Sequence, residues 1–169
     1  MDDITVIDNF LSKDELTFVD NFFENANWNY GLANVESDTV SWFKCELFKE
    51  PFFAKHILSK IKKVTNCDWE CYDIHANGQT IQLEGKTHVD SKQSEDRWSA
   101  LLYVSNITPR NIDKVNGHTE FKINNRVRSI EPLKNRLVIF RSNIPHKGRA
   151  PSVPELFRIS IIFKLKKKI

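Results

Sequence analysis

The residues with the most chemistry to offer are His88 and Asp90, two positions apart, with His146 and Arg158 far downstream. Two imidazoles and a carboxylate form a nitrogen and oxygen donor set that suits Fe(II), Mn(II) or Zn(II) and fills half of an octahedral shell. The open half admits substrate and oxygen, so iron is favoured if a cosubstrate site lies beside it. Arg158 offers one, because a guanidinium pairs with a carboxylate in two-toothed fashion.

Strands must bring these side chains together. Residues i and i+2 of a strand face one side, so a strand over 87–90 aims His88 and Asp90 at one ion. His146 follows Pro145 at the start of a turn, after the apolar segment 137–140, which sets an imidazole at a rim. Arg158 shares a strand face with Ser160 and Ile162, while Phe157, Ile159, Ile161 and Phe163 share the other. A charge inside so apolar a strand is costly to bury unpaired. Its partner is a bound carboxylate, joined by Ser160, or an acidic residue in a structural salt bridge. Tyr103 is either a second donor to that carboxylate or a core tyrosine with a satisfied hydroxyl.

The rest of the chain reads as a scaffold for these strands. Residues 4–7 predict an edge strand, and Ser12 with Glu15 forms a capping box for a helix carrying Leu16, Val19, Phe22 and Phe23. Turn-forming residues follow over 25–31, then a strand over 40–48, then a second amphipathic helix from Pro51 through Lys63. Further strands are expected over 69–75, 80–83, 87–90, 98–105, 119–123, 127–130, 136–141 and 156–165. Turn signals separate them, including Asn77-Gly78 and Asn124-Asn125. This predicts a mainly β chain with some α: a jelly roll of about eight strands, flanked on one sheet by the N-terminal helices. The polar loop 108–117 is long for a hairpin and is expected as a mobile lip over a site. The strand 42–48 and the loop 106–116 are expected to rim a substrate groove, with Trp42 and Trp98 either there or packed in the core.

Composition bounds the partners. The 169 residues predict one domain over 1–169, and 40% hydrophobic against 28% charged residues is a globular balance. A net charge of +3, without a dense basic face, argues against nucleic acid as a partner. Lys164, Lys166, Lys167 and Lys168 read as a solubilising tail. No run of 18 apolar residues exists to span a membrane, and the acidic start Asp2-Asp3 does not resemble a secretory signal. Cys45, Cys67 and Cys71 complete no zinc pattern and read as reduced thiols in a cytoplasmic protein.

Taken in order, His88-x-Asp90, Leu102-Tyr103-Val104-Ser105-Asn106, Asn116-Gly117-His118-Thr119-Glu120-Phe121, Arg136-Leu137-Val138-Ile139-Phe140, His146 and Arg158 resemble the 2-oxoglutarate and Fe(II)-dependent dioxygenases. The prolyl 4-hydroxylase-like branch is the nearest. Its middle segment usually reads Gly-Gly-x-Thr-x-Phe, of which this chain keeps one glycine, the threonine and the phenylalanine. The resemblance implies a double-stranded β-helix with Fe(II) on His88, Asp90 and His146. It also implies 2-oxoglutarate with its distal carboxylate on Arg158 and Tyr103 alongside. Hydroxylation of a substrate C–H bond with release of succinate and CO2 follows from it, with ascorbate as a possible reductant. O2 and a peptide, first of all a prolyl-like residue, are the implied partners. A free amino acid or small metabolite is second and a damaged nucleobase third. A jelly-roll binding module without turnover is the alternative outside enzymes. Relatives often carry tyrosine near His75, and prolyl hydroxylases often carry lysine in place of Arg158, which loosens the link to proline.

Overall fold

The computed structural model describes residues 3–31, 42–92 and 96–168. The chain begins with β1 (Ile4–Ile7), α1 (Lys13–Glu24), β2 (Asn29–Tyr30) and β3 (Phe43–Glu46). A π-helical turn, Phe52–Ile57, runs into α2 (Leu58–Thr65). Then come β4 (Trp69–Gln79), β5 (Arg97–Tyr103), a short α3 (Ile112–Val115), β6 (Thr119–Ile123), β7 (Arg126–Ile130), β8 (Arg136–Arg141), β9 (His146–Gly148) and β10 (Arg158–Lys167). Two antiparallel sheets result. One has seven strands in the order β1-β8-β5-β10-β4-β3-β2, and the other has three in the order β7-β6-β9. The expected two-sheet jelly roll is therefore met, and β1 is the edge strand its sequence predicts.

Strand alternation divides the large sheet between two cores. Ile74, Ala76, Leu102, Ile139, Ile161 and Phe163 point outward onto Val19, Phe53, Ile57 and Ile61 of the helical layer. Leu101, Tyr103, Val138, Phe140 and Ile162 point inward onto Phe121 and Ile130 of the small sheet. The helices cover the outer face, as their amphipathic spacing predicts. Ser12 caps α1: its hydroxyl accepts from Glu15 N, while Ser12 N donates to Glu15 Oε2 at 2.6 Å.

Several local expectations fail for identifiable reasons. Asn77-Gly78 is no turn; β4 runs straight through it. The glycine is needed because the ring of Phe157 sits where a Cβ would stand, 2.1 Å away. Residues 80–83 form a turn instead of a strand, closed by Leu83 N donating to Thr80 O at 3.1 Å, with Gln82 at φ 73°. Of 87–90, only His88 pairs, in one antiparallel bridge to His146. His146 thus opens a strand, β9, and is not in a turn. The expected turn 25–31 contains the short strand β2. Asn124 and Asn125 do turn the β6–β7 hairpin, both at positive φ. The loop 108–117 is anchored by buried Ile112 and Val115 on a small apolar cluster of its own. Lys164, Lys166 and Lys167 are strand residues of β10, so the basic cluster is not a tail. Residues 40 and 41 of the expected strand 40–48 lie outside the described residues. All three cysteines are free thiols, and among the described residues no helix is long and apolar enough to cross a membrane.

Candidate metal centre

His88, Asp90 and His146 offer ligand atoms that all lie within 4.8 Å of one another. Backbone bonds position them. His88 and His146 each donate N–H to the other's carbonyl at 2.9 Å, and Asp90 N donates to Ser142 O at 2.9 Å. The segment around His88 is thereby laid along the β8–β9 connection, and sequence-distant residues become cross-strand neighbours.

Second contacts orient the rings. His88 Nδ1 lies 2.9 Å from Lys86 O and His146 Nδ1 lies 2.8 Å from Ile144 O. A carbonyl only accepts, so both Nδ1 atoms carry the proton and both Nε2 atoms present a lone pair. Those Nε2 atoms lie 3.7 Å and 3.8 Å from the Asp90 carboxylate. These separations are too long for hydrogen bonds. They fit one ion between them, since two atoms each bonded at ~2.1 Å to a metal sit no more than ~4.2 Å apart. The His146 ring packs against Phe121 and Phe140, with centroids 5.7 Å and 4.7 Å away, and those two rings meet each other at 4.9 Å.

Burial lowers the pKa of His146, with Asp90 partly opposing, so the imidazole stays neutral as a ligand must be. Burial pushes Asp90 upward, yet His146, Lys164, the Ser99 hydroxyl and His88 together hold it below its ordinary value. Ser99 Oγ donates to Asp90 Oδ2 at 2.6 Å and lies 3.0 Å from Ser142 Oγ.

Arg158 is 2% exposed, and its hydrogen bonds end on neutral oxygens. Nε donates to Gly117 O at 2.7 Å, Nη1 to Gln79 Oε1 at 2.7 Å and Nη2 to Thr119 Oγ1 at 3.0 Å. Ser160 Oγ is a distant partner at 3.5 Å. Among the described residues it forms no salt bridge, so no acidic side chain there compensates its buried charge. The Tyr103 hydroxyl donates to Thr119 Oγ1 at 2.8 Å, and the guanidinium stands 5.5 Å from the Tyr103 ring centroid. Thr119 Oγ1 therefore receives two donors and keeps its own proton to offer a ligand. One cavity joins the two parts: Arg158, Ser160, Thr119 and Gln79 line it together with His88 and His146. The fit to a dicarboxylate rests on this unpaired guanidinium at the cavity wall.

Thr119 enters the sequence reading only as a motif letter, Asn77 and Gln79 only within a polar stretch over 77–80 directed toward the same end, and Ser99 not at all. Trp42 lines the cavity, whereas Trp98 packs in the core against Trp69. No residue of the loop 106–116 lines it. The Trp42 Nε1, Asn77 Oδ1 and His75 Nε2 atoms are buried without a hydrogen-bond partner.

A search of curated proteins finds no match. Solved structures share the fold at low identity. A prolyl hydroxylase from Trichoplax adhaerens, in complex with a hypoxia inducible factor peptide fragment, superposes with a TM-score of 0.77 at 16% identity, over 98% of this chain and 84% of that one. A Pseudomonas putida prolyl-4-hydroxylase gives 0.71 at 15%, covering 98% and 93%. HygX from Streptomyces hygroscopicus, with nickel and 2-oxoglutarate bound, gives 0.70 at 11%, covering 97% and 82%. The family model described as the 2OG-Fe(II) oxygenase superfamily matches residues 73–164, a span running from β4 to β10 that takes in the His/Asp/His cluster and Arg158. With more than half of its length under that model, this chain belongs to the 2OG-Fe(II) oxygenase superfamily and is an oxidoreductase using Fe(II) and 2-oxoglutarate.

Proposed function

We propose that this chain, as one dioxygenase domain, hydroxylates a C–H bond of a peptidyl, prolyl-like residue with release of succinate and CO2. His88, Asp90 and His146 would hold Fe(II), and Arg158 the distal carboxylate of 2-oxoglutarate. When bound, the iron supplies oxygen activation coupled to decarboxylation of the cosubstrate. The protein's own residues set the geometry. Lys86 O and Ile144 O fix the imidazole tautomers, and Ser99 fixes Asp90. Thr119, with Tyr103 behind it, offers its free hydroxyl proton to the cosubstrate, and Ser160 stands beside the guanidinium. Phe121 and Phe140 keep water from the inner side of His146.

The observation that carries this reading is the buried Arg158, bonded among the described residues to neutral oxygens and opening on the same cavity as His88 and His146. A peptide substrate draws support from the peptide held by the Trichoplax relative. A free amino acid or small metabolite is the second reading, since HygX shares the fold and has been solved with hygromycin B, not a peptide, bound. The three free thiols support a reducing, cytoplasmic setting.

Anaerobic titration of the apo protein with Fe(II) and then 2-oxoglutarate tests the site. A visible metal-to-ligand charge-transfer band is expected, lost in His146→Ala and weakened in Arg158→Ala. Folded, iron-loaded protein without the band would overturn the cosubstrate assignment.

A further inference from the structure

The cavity wall is an ordered lattice of three strands. Along β10 the inward file is Arg158, Ser160, Ile162 and Lys164, of which the first three line the cavity. Their partners on β4 are Gln79, Asn77, His75 and Asp73; on β5, Ser160, Ile162 and Lys164 face Tyr103, Leu101 and Ser99. A guanidinium therefore stands at one end of the file and an ammonium at the other. The ammonium end is the one where Ser99 holds Asp90.

Lys164 Nζ lies 3.6 Å from Asp90 Oδ1, and its side chain is only 16% exposed. That is a charge contact, longer than a hydrogen bond. Asp73, opposite in register, is turned to His75 Nδ1 at 3.0 Å instead. The Ser99 hydroxyl is committed to Asp90 and Ser142. Among the described residues Asp90 is thus the acidic group in direct contact with Lys164, and Asp90 is also the carboxylate assigned to the metal. With an ion bound, a divalent cation and a largely buried ammonium would share one carboxylate, an arrangement that favours a further anion beside them. A second lysine lies on the neighbouring strand β3: Lys44, level with Asn77, is 17% exposed and is held by Glu46 at 2.7 Å. Glu46 itself is mostly in solvent, so that pair is easily exchanged.

We propose that Lys164 is the anion-recognition residue for the prime substrate, which carries a carboxylate close to the carbon that reacts. The proposal rests on the assignment of the metal and cosubstrate residues above. A free α-carboxylate and the acidic side chain of a peptide share this chemistry.

The test uses protein loaded with Fe(II) and saturating 2-oxoglutarate, so that Arg158 is already engaged. Two matched pairs of probes are titrated anaerobically: N-acetylglycine against N-acetylglycinamide, and acetyl-Ala-Pro-Asp-Ala-amide against its Asn counterpart. Binding is read from the shift of the charge-transfer band. With Mn(II) in place of iron, it is also read from paramagnetic relaxation of the 13C-labelled carboxyl. In at least one pair the carboxylate should bind about tenfold or more tightly than the amide, as expected for a charge-assisted contact. Which pair responds identifies the source of the carboxylate. Lys164→Gln should erase the difference and Lys164→Arg should keep part of it, both retaining the 2-oxoglutarate band as proof of an intact site. Equal binding of acid and amide in both pairs, no binding of either, or a preference that survives in Lys164→Gln overturns the proposal. Absence of the band from wild-type protein instead strikes the underlying site assignment.

Discussion

His88 and His146 hold each other by the backbone, each donating its N–H to the other's carbonyl at 2.9 Å, with ring centroids 4.5 Å apart. The metal cluster is thus assembled by main-chain pairing, and the side chains are carried on it. Replacing either imidazole should remove Fe(II) binding without dismantling the scaffold. His88→Ala should cost less than about 1 kcal/mol of apo stability, because its ring is partly exposed. His146→Ala should cost roughly 1–3 kcal/mol, because it leaves a hole beside the Phe121–Phe140 pair. Calorimetric titration with Fe(II) and thermal melts of the apo variants check both halves; a variant that still binds iron at wild-type affinity contradicts the ligand assignment.

Arg158 and Thr119 should separate by magnitude. Arg158→Ala removes the cavity's buried guanidinium and should weaken 2-oxoglutarate at least about 100-fold, the scale of a charge-assisted two-toothed contact of ~3 kcal/mol. Thr119→Val deletes the hydroxyl that gathers the Arg158 and Tyr103 donors, and about a tenfold loss is expected. Tyr103→Phe, one contact further out, should cost less than Thr119→Val. Titration of the charge-transfer band ranks the three, and a larger effect at Tyr103 than at Thr119 would mean that Tyr103 touches the cosubstrate directly.

Ser99→Ala leaves the three ligands in place but frees Asp90 Oδ2 from its 2.6 Å donor. Loss of such an orienting bond lowers metal affinity by about 10–100-fold. Competition with a chelating dye gives the Fe(II) affinity directly. An unchanged affinity would show that Lys164 and the backbone suffice to hold Asp90.

Acid sensitivity should trace in part to the N-terminal helix, far from the metal. Burial works to raise Glu15, but Lys60, the Ser12 backbone and His56 together hold it down at about 2. Its folded-state pKa is depressed, so its contribution is fully present above the ordinary carboxylate pKa of about 4.3. That contribution fades as pH falls toward 2. Glu15→Gln should destabilise the protein by about 1–3 kcal/mol at pH 7 and by little near pH 2.5. Urea melts of both proteins across that range read the effect; a pH-independent difference would locate the role of Glu15 in packing.

The pattern of side chains was sufficient for much of this. The capping box at Ser12, the amphipathic helices, the asparagine turn at 124–125 and the inward file Arg158, Ser160 and Ile162 are local, because caps, turns and strand alternation depend on neighbours a few positions away. The spacing of His88 and Asp90 likewise marks a possible ligand pair. Even there local signals mislead where a distant residue intervenes. Asn77-Gly78 has turn chemistry, but the glycine serves the packing of Phe157 and β4 continues through it.

The donor types, the alternation that aims them and the family pattern that links them are all written in the order of residues. Which donors meet depends on how distant strands pair. Pairing of His88 with His146, convergence of Gln79, Thr119 and Gly117 on Arg158, and the approach of Lys164 to Asp90 all join residues on different strands. Register across a sheet is fixed by backbone hydrogen bonding and core packing between segments far apart in the chain, and no local pattern of residues encodes it.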